Sequence, residues 1–490
     1  MDDDDIATYI GWKGYTIYKK NISVQEQQML RKELNVKPFV PKSSLMKPQP
    51  FPVYRESKNK IYVPIFYGME VYGEPDEIRI DDGKKINVSF KGELRPKQKP
   101  VVKKFMKHIK KKNSGLLALH TGFGKTCLAL NIISKIKLKT IIIVHKEFLL
   151  RQWVERIEQF LPHAKVGKIQ AKTIDTEGKD IVICMLQSLS MKEYPKDMFR
   201  EYGFSIYDEV HHLGAEVFSK AFYKVVTKYS LGLSATINRK DGLTKVIKWF
   251  LGDVVCKLER KGEDNVLVKV INYETTDEDF NKIETDWRGQ IKYTTMVKKL
   301  CEFNNRSEFI LKVLSDLLKG NPNQQIMILA HQKKLLQYLH DAIRHRTIAT
   351  VGYYVGGMKE KDLKISEGKK VIIATYAMAE EGLDIKSLTT LIMATPKVDV
   401  RQSVGRILRQ KHNEAVVVDI VDSHSLFQRH FTKRKTFYRK SKFKVIQTNM
   451  NGYQNGDWET IYDPINKIKK AFSKTKNEDK LLQGVCLIGN

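Results

Sequence analysis

Short apolar, β-branched runs recur along the first half of this chain, at residues 116–119, 140–144, 181–185, 205–207 and 231–233. Stretches of helical length and composition separate them. The same alternation restarts at residues 325–330, 350–355, 371–374, 391–394 and 415–420. Strands that are apolar on both faces suit a parallel sheet covered by helices on both sides. Strand–helix alternation of this kind predicts a doubly wound α/β domain, and its restart predicts two of them in tandem. The charged, Gly-containing stretch 257–272 reads as the linker between them.

The flanks read differently. Residues 1–88 carry strand-like segments at 15–18, 60–66 and 86–90, a helix over 24–34, and a Pro-rich basic loop over 36–52. A small α+β accessory module, a candidate for nucleic-acid binding, is expected there. Residues 441–490 show little pattern and are read as a tail. The expected division is therefore 1–88, 89–256, 257–440 and 441–490.

Lys and Arg number 86 against 56 Asp and Glu, a formal charge of +30. Such an excess points to a polyanionic partner, because each Lys or Arg that neutralises a phosphate also releases a counterion. The start, MDDDDIATYI, lacks the basic and apolar regions of a secretory signal. No apolar run has the ~18 residues that a membrane helix needs. An intracellular, soluble, monomeric protein without membrane association is expected. The five cysteines (Cys127, Cys184, Cys256, Cys301, Cys486) form no CxxC pair, so neither a zinc site nor a disulfide framework is indicated.

The chemistry concentrates in four segments. LHTGFGKT (119–126) lies directly after an apolar run and before a helical one. Gly122 and Gly124 let the backbone approach phosphate oxygens, and the helix N-terminus favours their charge. Lys125 would hold the β- and γ-phosphates, and Thr126 would ligate Mg²⁺. Leu119 stands where glycine is usual in this pattern. SIYDEVHH (205–212) ends an apolar run in two acids: Asp208 as the Mg²⁺ carboxylate, Glu209 as the base that orients and deprotonates water. LGLSAT (231–236) ends another run in hydroxyls that could sense the acid pair. In QSVGRILR (402–409), Arg406 and Arg409 fall at i and i+3, and Gln402 sits one turn earlier on the same predicted face. Arginine suits charge developing on a transferring phosphoryl group. ATP with Mg²⁺ is the expected cofactor, with Lys125, Asp208, Glu209, Gln402, Arg406 and Arg409 as the catalytic set.

In this order the segments resemble the motifs of superfamily 2 helicases, over residues 94–410. The resemblance implies two RecA-like domains and an ATP hydrolase that moves on nucleic acid. It also implies that Gln98 of LRPKQ (94–98) reads adenine. In ATYAMAEEGLDI (374–385) it implies strand contact by Thr375 and nucleotide coupling through Gly382 and Asp384. The segments HKEFLLRQW (145–153), DEVHHLGAEVFSKAF (208–222) and LGLSATINRKDGLTKV (231–246) look like the XPB/UvsW branch, which includes helicases of large DNA viruses such as the poxvirus transcript-release helicase. Lys240 stands where that branch carries Glu in an Arg-Glu-Asp motif, and His145-Lys146 replaces a Pro-containing start. The implied activity is unwinding of DNA or RNA–DNA hybrid in viral transcription or recombination, with transcription machinery as a further partner and host cytoplasm or virion as the place. A duplex translocase that remodels protein–nucleic-acid complexes, and the motor subunit of a nuclease, are the alternatives.

Two basic stretches are candidate strand contacts. Residues 99–112 hold seven lysines and no acid, with Lys103, Lys104, Lys107, Lys110 and Lys111 at helical spacing. Residues 429–444 hold eight Lys/Arg and no acid, interleaved with Phe431, Phe437, Tyr438 and Phe443, a composition suited to phosphate tracking with base stacking.

Overall fold

The computed structural model describes residues 6–39, 48–195, 197–212, 215–237, 239, 241–259, 265–382, 385, 387–408 and 414–465. The chain divides into two compact units, Met1–Glu259 and Arg260–Asn490.

The first unit is built on an eight-stranded sheet. Its strands run in the order Thr173–Asp175, Val166–Gln170, Ile181–Met185, Thr140–Val144, Phe204–Tyr207, Tyr229–Ser234, Ser114–Leu119 and Val254–Leu258. All pairings are parallel except the hairpin at Thr173–Asp175. Successive side chains point to opposite faces, and both faces are covered. In Thr140–Val144, Ile141 and Ile143 enter one core while Ile142 and Val144 enter the other. Each such buried aliphatic side chain contributes ~1.5–3 kcal/mol, which explains why the run is uniformly apolar.

The N-terminal residues form a five-stranded sheet in the order Arg55–Glu56, Lys60–Val63, Gly14–Tyr18, Thr8–Gly11, Glu77–Ile78, with the helices Val24–Glu33 and Ile65–Tyr72. Ser23 and Glu26 close a capping box at the first helix, each side chain bonding the other's backbone N–H. The module is not tethered loosely. Ile10, Tyr15, Ile17, Ile61 and Val63 share one hydrophobic cluster with the eight-stranded sheet. Tyr223 Oη donates to Val53 O at 2.8 Å, and the Tyr67 and Trp249 rings meet edge to face at 5.1 Å.

The second unit repeats the architecture: Val351–Tyr354, Val371–Thr375, Gln325–Ala330, Leu388–Met393, Ala415–Asp422, Val266–Tyr273, Lys444–Asn449, Glu459–Tyr462, parallel except for the last pairing. Met327 and Leu329 face one core, Ile326, Ile328 and Ala330 the other. Two tandem RecA-like parallel sheets with a small α+β N-terminal module is the fold class read from the sequence, and the structure has it.

Several local readings need correction. The stretch 257–272 holds most of the strand Val266–Tyr273, which pairs along its length with Ala415–Asp422. Its half-polar composition hides it: Lys269 and Asn272 break the apolar run. Residues 444–462, read as part of a tail, contribute two strands and the helix Met450–Asn455 to the second sheet. Residues 86–90 form no strand, although Ile86 and Val88 are buried in a core. Phe66 lies in a helix, because the strand before it stops at Val63 and Pro64 starts the helix Ile65–Tyr72.

Candidate functional site

In the first unit, the strand Ser114–Leu119 runs into a loop and then the helix Lys125–Ile136. Gly122 and Gly124 have φ of 83° and 87°, a region that side-chain-bearing residues rarely adopt. A Cβ at Gly124 would sit 2.6 Å from Gln98 Nε2. Gln98 is buried and does a bracing job here. Its Nε2 donates to Phe123 O at 2.8 Å and Gly124 O at 3.4 Å, while its Oε1 accepts from Arg95 N–H at 2.9 Å. The helix leaves its first amides without intrahelical partners, pointing into the loop as an anion site.

Residues at the ends of two further strands, Phe204–Tyr207 and Tyr229–Ser234, are linked to that loop. Lys125 Nζ bonds Glu209 Oε1 at 2.6 Å, and both side chains are largely shielded from solvent. Glu209 has φ of +50°, a left-handed backbone that turns the chain sharply off the strand Phe204–Tyr207 into the 3₁₀ turn Val210–His212. Asp208 is buried. Its Oδ1 accepts from Glu209 N–H at 2.9 Å, and its Oδ2 accepts from the Trp153 indole Nε1–H at 2.9 Å. Burial pushes the Asp208 carboxyl up to about 6, and the Glu209 charge adds to this, while Lys125 and the Trp153 hydrogen bond oppose it. A buried carboxylate whose charge is this costly is a good ligand for a divalent cation, so Asp208 fits Mg²⁺ on chemical grounds. Thr126, second residue of the helix, offers the accompanying hydroxyl.

The acid pair connects onward. His211 Nδ1 lies 3.3 Å from Glu209 Oε2 and 2.8 Å from Ser234 Oγ. Ser234 Oγ accepts in turn from Thr236 N–H at 3.1 Å. Arg239 Nη1 donates to His211 O at 3.4 Å and forms a fork with Asp241. Burial would raise the Asp241 carboxyl, but Arg239 holds it below the usual range. Lys125, Glu209, His211 and Ser234 thus form one contiguous polar chain across three separate segments. Trp153 and His211 were assigned no part in it from sequence. A tryptophan on the apolar face of an amphipathic helix carries no local sign that its N–H is spent on an acid 55 residues away.

In the second unit, Gln402 lies in the short helix Arg401–Val404 and Arg406 in the turn after it, buried. Gln402 and Arg406, expected on one helical face, do not lie on one continuous α-helix among the described residues. Backbone bonding tightens from Gly405 N→Arg401 O to Arg406 N→Ser403 O, so the i→i−4 pattern ends with the Gly405 N–H. Arg409 lies outside the described residues, as does Asp384. Gly382 ends the helix Tyr376–Gly382, and Thr375 ends the strand before it.

The two basic stretches differ in outcome. The helix Lys99–Lys112 buries Val101, Val102, Phe105 and Ile109 and exposes Lys103, Lys104, Lys107, Lys110 and Lys111. In the helix Ser425–Lys440, however, Phe431 and Tyr438 are buried, as is Phe443 beyond it. These rings fill the core of the second unit and are not available to stack on bases. Arg434 is buried too, forked onto Asp419 at 2.8 and 2.9 Å. What remains outward is the basic face Arg429, Lys433, Arg439 and Lys440.

Comparison with known proteins matches two family descriptions: "Type III restriction enzyme, res subunit" over residues 91–239 and "Helicase conserved C-terminal domain" over residues 310–411. A protein of Acanthamoeba polyphaga mimivirus, named as an ATP-dependent RNA helicase, is 35% identical over 456 residues, 90% of this chain and 87% of that protein. A protein of Invertebrate iridescent virus 6, named as a helicase, is 28% identical over 72% of this chain and 83% of its own length. Among solved structures, T4 UvsW aligns over 90% of this chain and 99% of its own, at 17% identity and a TM-score of 0.34.

Proposed function

Because this chain belongs to the ATP-hydrolysing helicases of superfamily 2, in the group found in large DNA viruses, we propose that it couples ATP hydrolysis to movement along, and unwinding of, DNA or RNA–DNA hybrid, in viral transcription or recombination. The observation that best supports the reading is the polar chain from Lys125 through Glu209 and His211 to Ser234. It joins the phosphate loop, the acid pair and the Ser-Ala-Thr strand end, so a change at the γ-phosphate position has a direct route to a second segment. The mimivirus relative is named as an RNA helicase, so a duplex with one RNA strand is the first substrate to assay.

In this mechanism the loop amides and Lys125 hold the triphosphate, and Lys125 exchanges Glu209 for phosphate oxygens. Asp208 and Thr126 would hold Mg²⁺, which would neutralise phosphate charge when bound. Released from Lys125, Glu209 accepts the proton of the attacking water. Trp153 keeps Asp208 oriented, and His211 reports the state of Glu209 to Ser234. Gln98 steadies the loop at the adenine side, and Gly382 and Asp384 couple the nucleotide to strand contacts near Thr375. By the motif that they match, Gln402, Arg406 and Arg409 would stabilise charge on the transferring phosphoryl group.

Glu209→Gln tests the base directly. Glutamine keeps the shape and a hydrogen bond to Lys125 but cannot take a proton. ATP affinity should be retained, while kcat falls roughly 10²–10⁴-fold. Single-turnover hydrolysis beside equilibrium ATP binding measures both, and normal single-turnover hydrolysis would reassign the base.

A further inference from the structure

The N-terminal sheet has a second face, built from Tyr9, Thr16, Tyr18, Lys60 and Tyr62, of which only Tyr62 is part of the hydrophobic core. Cross-strand register places Tyr9, Thr16 and Tyr62 in one row and Tyr18 and Lys60 in the next, all on the side opposite Ile10, Tyr15, Ile17, Ile61 and Val63. The Tyr9 and Tyr18 rings lie 5.9 Å apart and are half-buried. Thr16 is buried beneath the side chains of this face.

Cations cover these rings. Lys60 Nζ sits 5.0 Å from the Tyr9 ring and 4.4 Å from the Tyr18 ring, and donates to Tyr9 Oη at 3.1 Å. The Arg79 guanidinium lies 4.3 Å from Tyr9, Lys13 Nζ 4.8 Å from Tyr62, and Lys20 Nζ 6.0 Å from Tyr18. Glu77 bridges to Arg79. Planar π-faces interleaved with ammonium groups match a ligand that is itself planar and anionic by turns. A strand of unpaired nucleotides has that character: bases stack on the rings, and phosphates take the displaced cations. A duplex keeps its bases stacked on one another and could use only the charges. Base stacking on an aromatic ring is a stronger interaction than a cation over a ring that is still partly exposed, so the exchange runs towards the bound strand.

From this geometry we infer that the outer face of the N-terminal sheet, centred on Tyr9, Tyr18 and Lys60, is a stacking platform for single-stranded nucleic acid, separate from the ATP site. The inference rests on the reading that the chain works on nucleic acid.

The test is fluorescence anisotropy of the full chain, without nucleotide, against a labelled deoxythymidine oligonucleotide and a labelled duplex. Tyr9→Leu with Tyr18→Leu should weaken the oligonucleotide complex by about tenfold or more, and the duplex complex much less. Tyr9→Phe with Tyr18→Phe keeps the π-faces and should bind as the unchanged chain does. Lys60→Met should lower the slope of log affinity against log salt by roughly one phosphate contact. ATP hydrolysis without nucleic acid should be unaltered in all three. Unchanged oligonucleotide affinity in the leucine pair would overturn the platform, and so would equal weakening of the duplex or an equal loss in the phenylalanine pair. Displacement of the oligonucleotide's role by an acidic peptide, with the peptide binding more tightly, would reassign the face to a protein partner and overturn it too. If the unchanged chain bound no nucleic acid at all, the proposed function would fall together with it.

Discussion

Lys125→Ala is expected to lower kcat for ATP hydrolysis by at least 10²–10³-fold, about 3–4 kcal/mol of barrier, the usual loss when one charged or polar donor is removed from developing charge. The structure gives the substitution a second cost. Lys125 is the cation 2.6 Å from Glu209, and its charge is one of the influences holding the Asp208 carboxyl down. Alanine would leave the adjacent carboxyls of Asp208 and Glu209 without that counter-charge, so Asp208 would hold its proton to higher pH. A protonated Asp208 is a poor Mg²⁺ ligand. The variant should therefore need more Mg²⁺ as well as turning over slowly. Steady-state hydrolysis across a Mg²⁺ titration reads both effects, and turnover within a few-fold of the unchanged chain would remove Lys125 from the phosphate site.

Arg306→Ala carries the largest expected cost in stability. Arg306 sits near the start of the helix Asn304–Gly320 and is fully buried. Its Nε and Nη2 fork onto Asp422 at 2.5 and 2.9 Å, and Nη1 donates to Ala394 O at 2.7 Å. The pair ties a helix to the ends of two central strands. Removing the arginine strands a buried carboxylate and a carbonyl, which typically costs ~3–5 kcal/mol. For a unit of this size each kcal/mol moves Tm by ~2–4 °C, so the second unit should melt about 10 °C lower. Arg306→Ala combined with Asp422→Ala should recover part of the loss, because no uncompensated charge remains. Calorimetry on the three proteins measures this. A single variant that melts with the unchanged chain would mean that the fork holds nothing together.

These two residues also mark what a sequence discloses and what it withholds. Lys125 was legible because its neighbours are local: an apolar strand, two glycines and a helix start, all within one short segment. The central strands were legible for a similar reason. Thr140–Val144 and Gln325–Ala330 are covered on both faces and so are apolar at every position but the first. Arg306 was invisible, since its partner lies 116 residues away and nothing near either residue announces the pairing. The strands Val266–Tyr273 and Lys444–Asn449 were missed because polar residues alternate or mix with apolar ones there. The aromatic residues of 429–444 misled for the opposite reason: basic neighbours suggested an outward face, whereas helical periodicity turns Phe431 and Tyr438 inward. At the candidate site, sequence supplied Lys125, Asp208 and Glu209, and the fold supplied Trp153 and His211, whose roles depend on contacts between segments.

The most direct test of ATP-driven strand separation is hydrolysis by the full chain measured with Mg²⁺ alone and then with single-stranded DNA, duplex DNA, RNA and RNA–DNA hybrid, each beside a strand-displacement assay. Turnover should rise with at least one of these nucleic acids, weaken as salt is raised, and be accompanied by displacement that stops in Glu209→Gln. Hydrolysis indifferent to every nucleic acid, or displacement that persists without ATP, would contradict it.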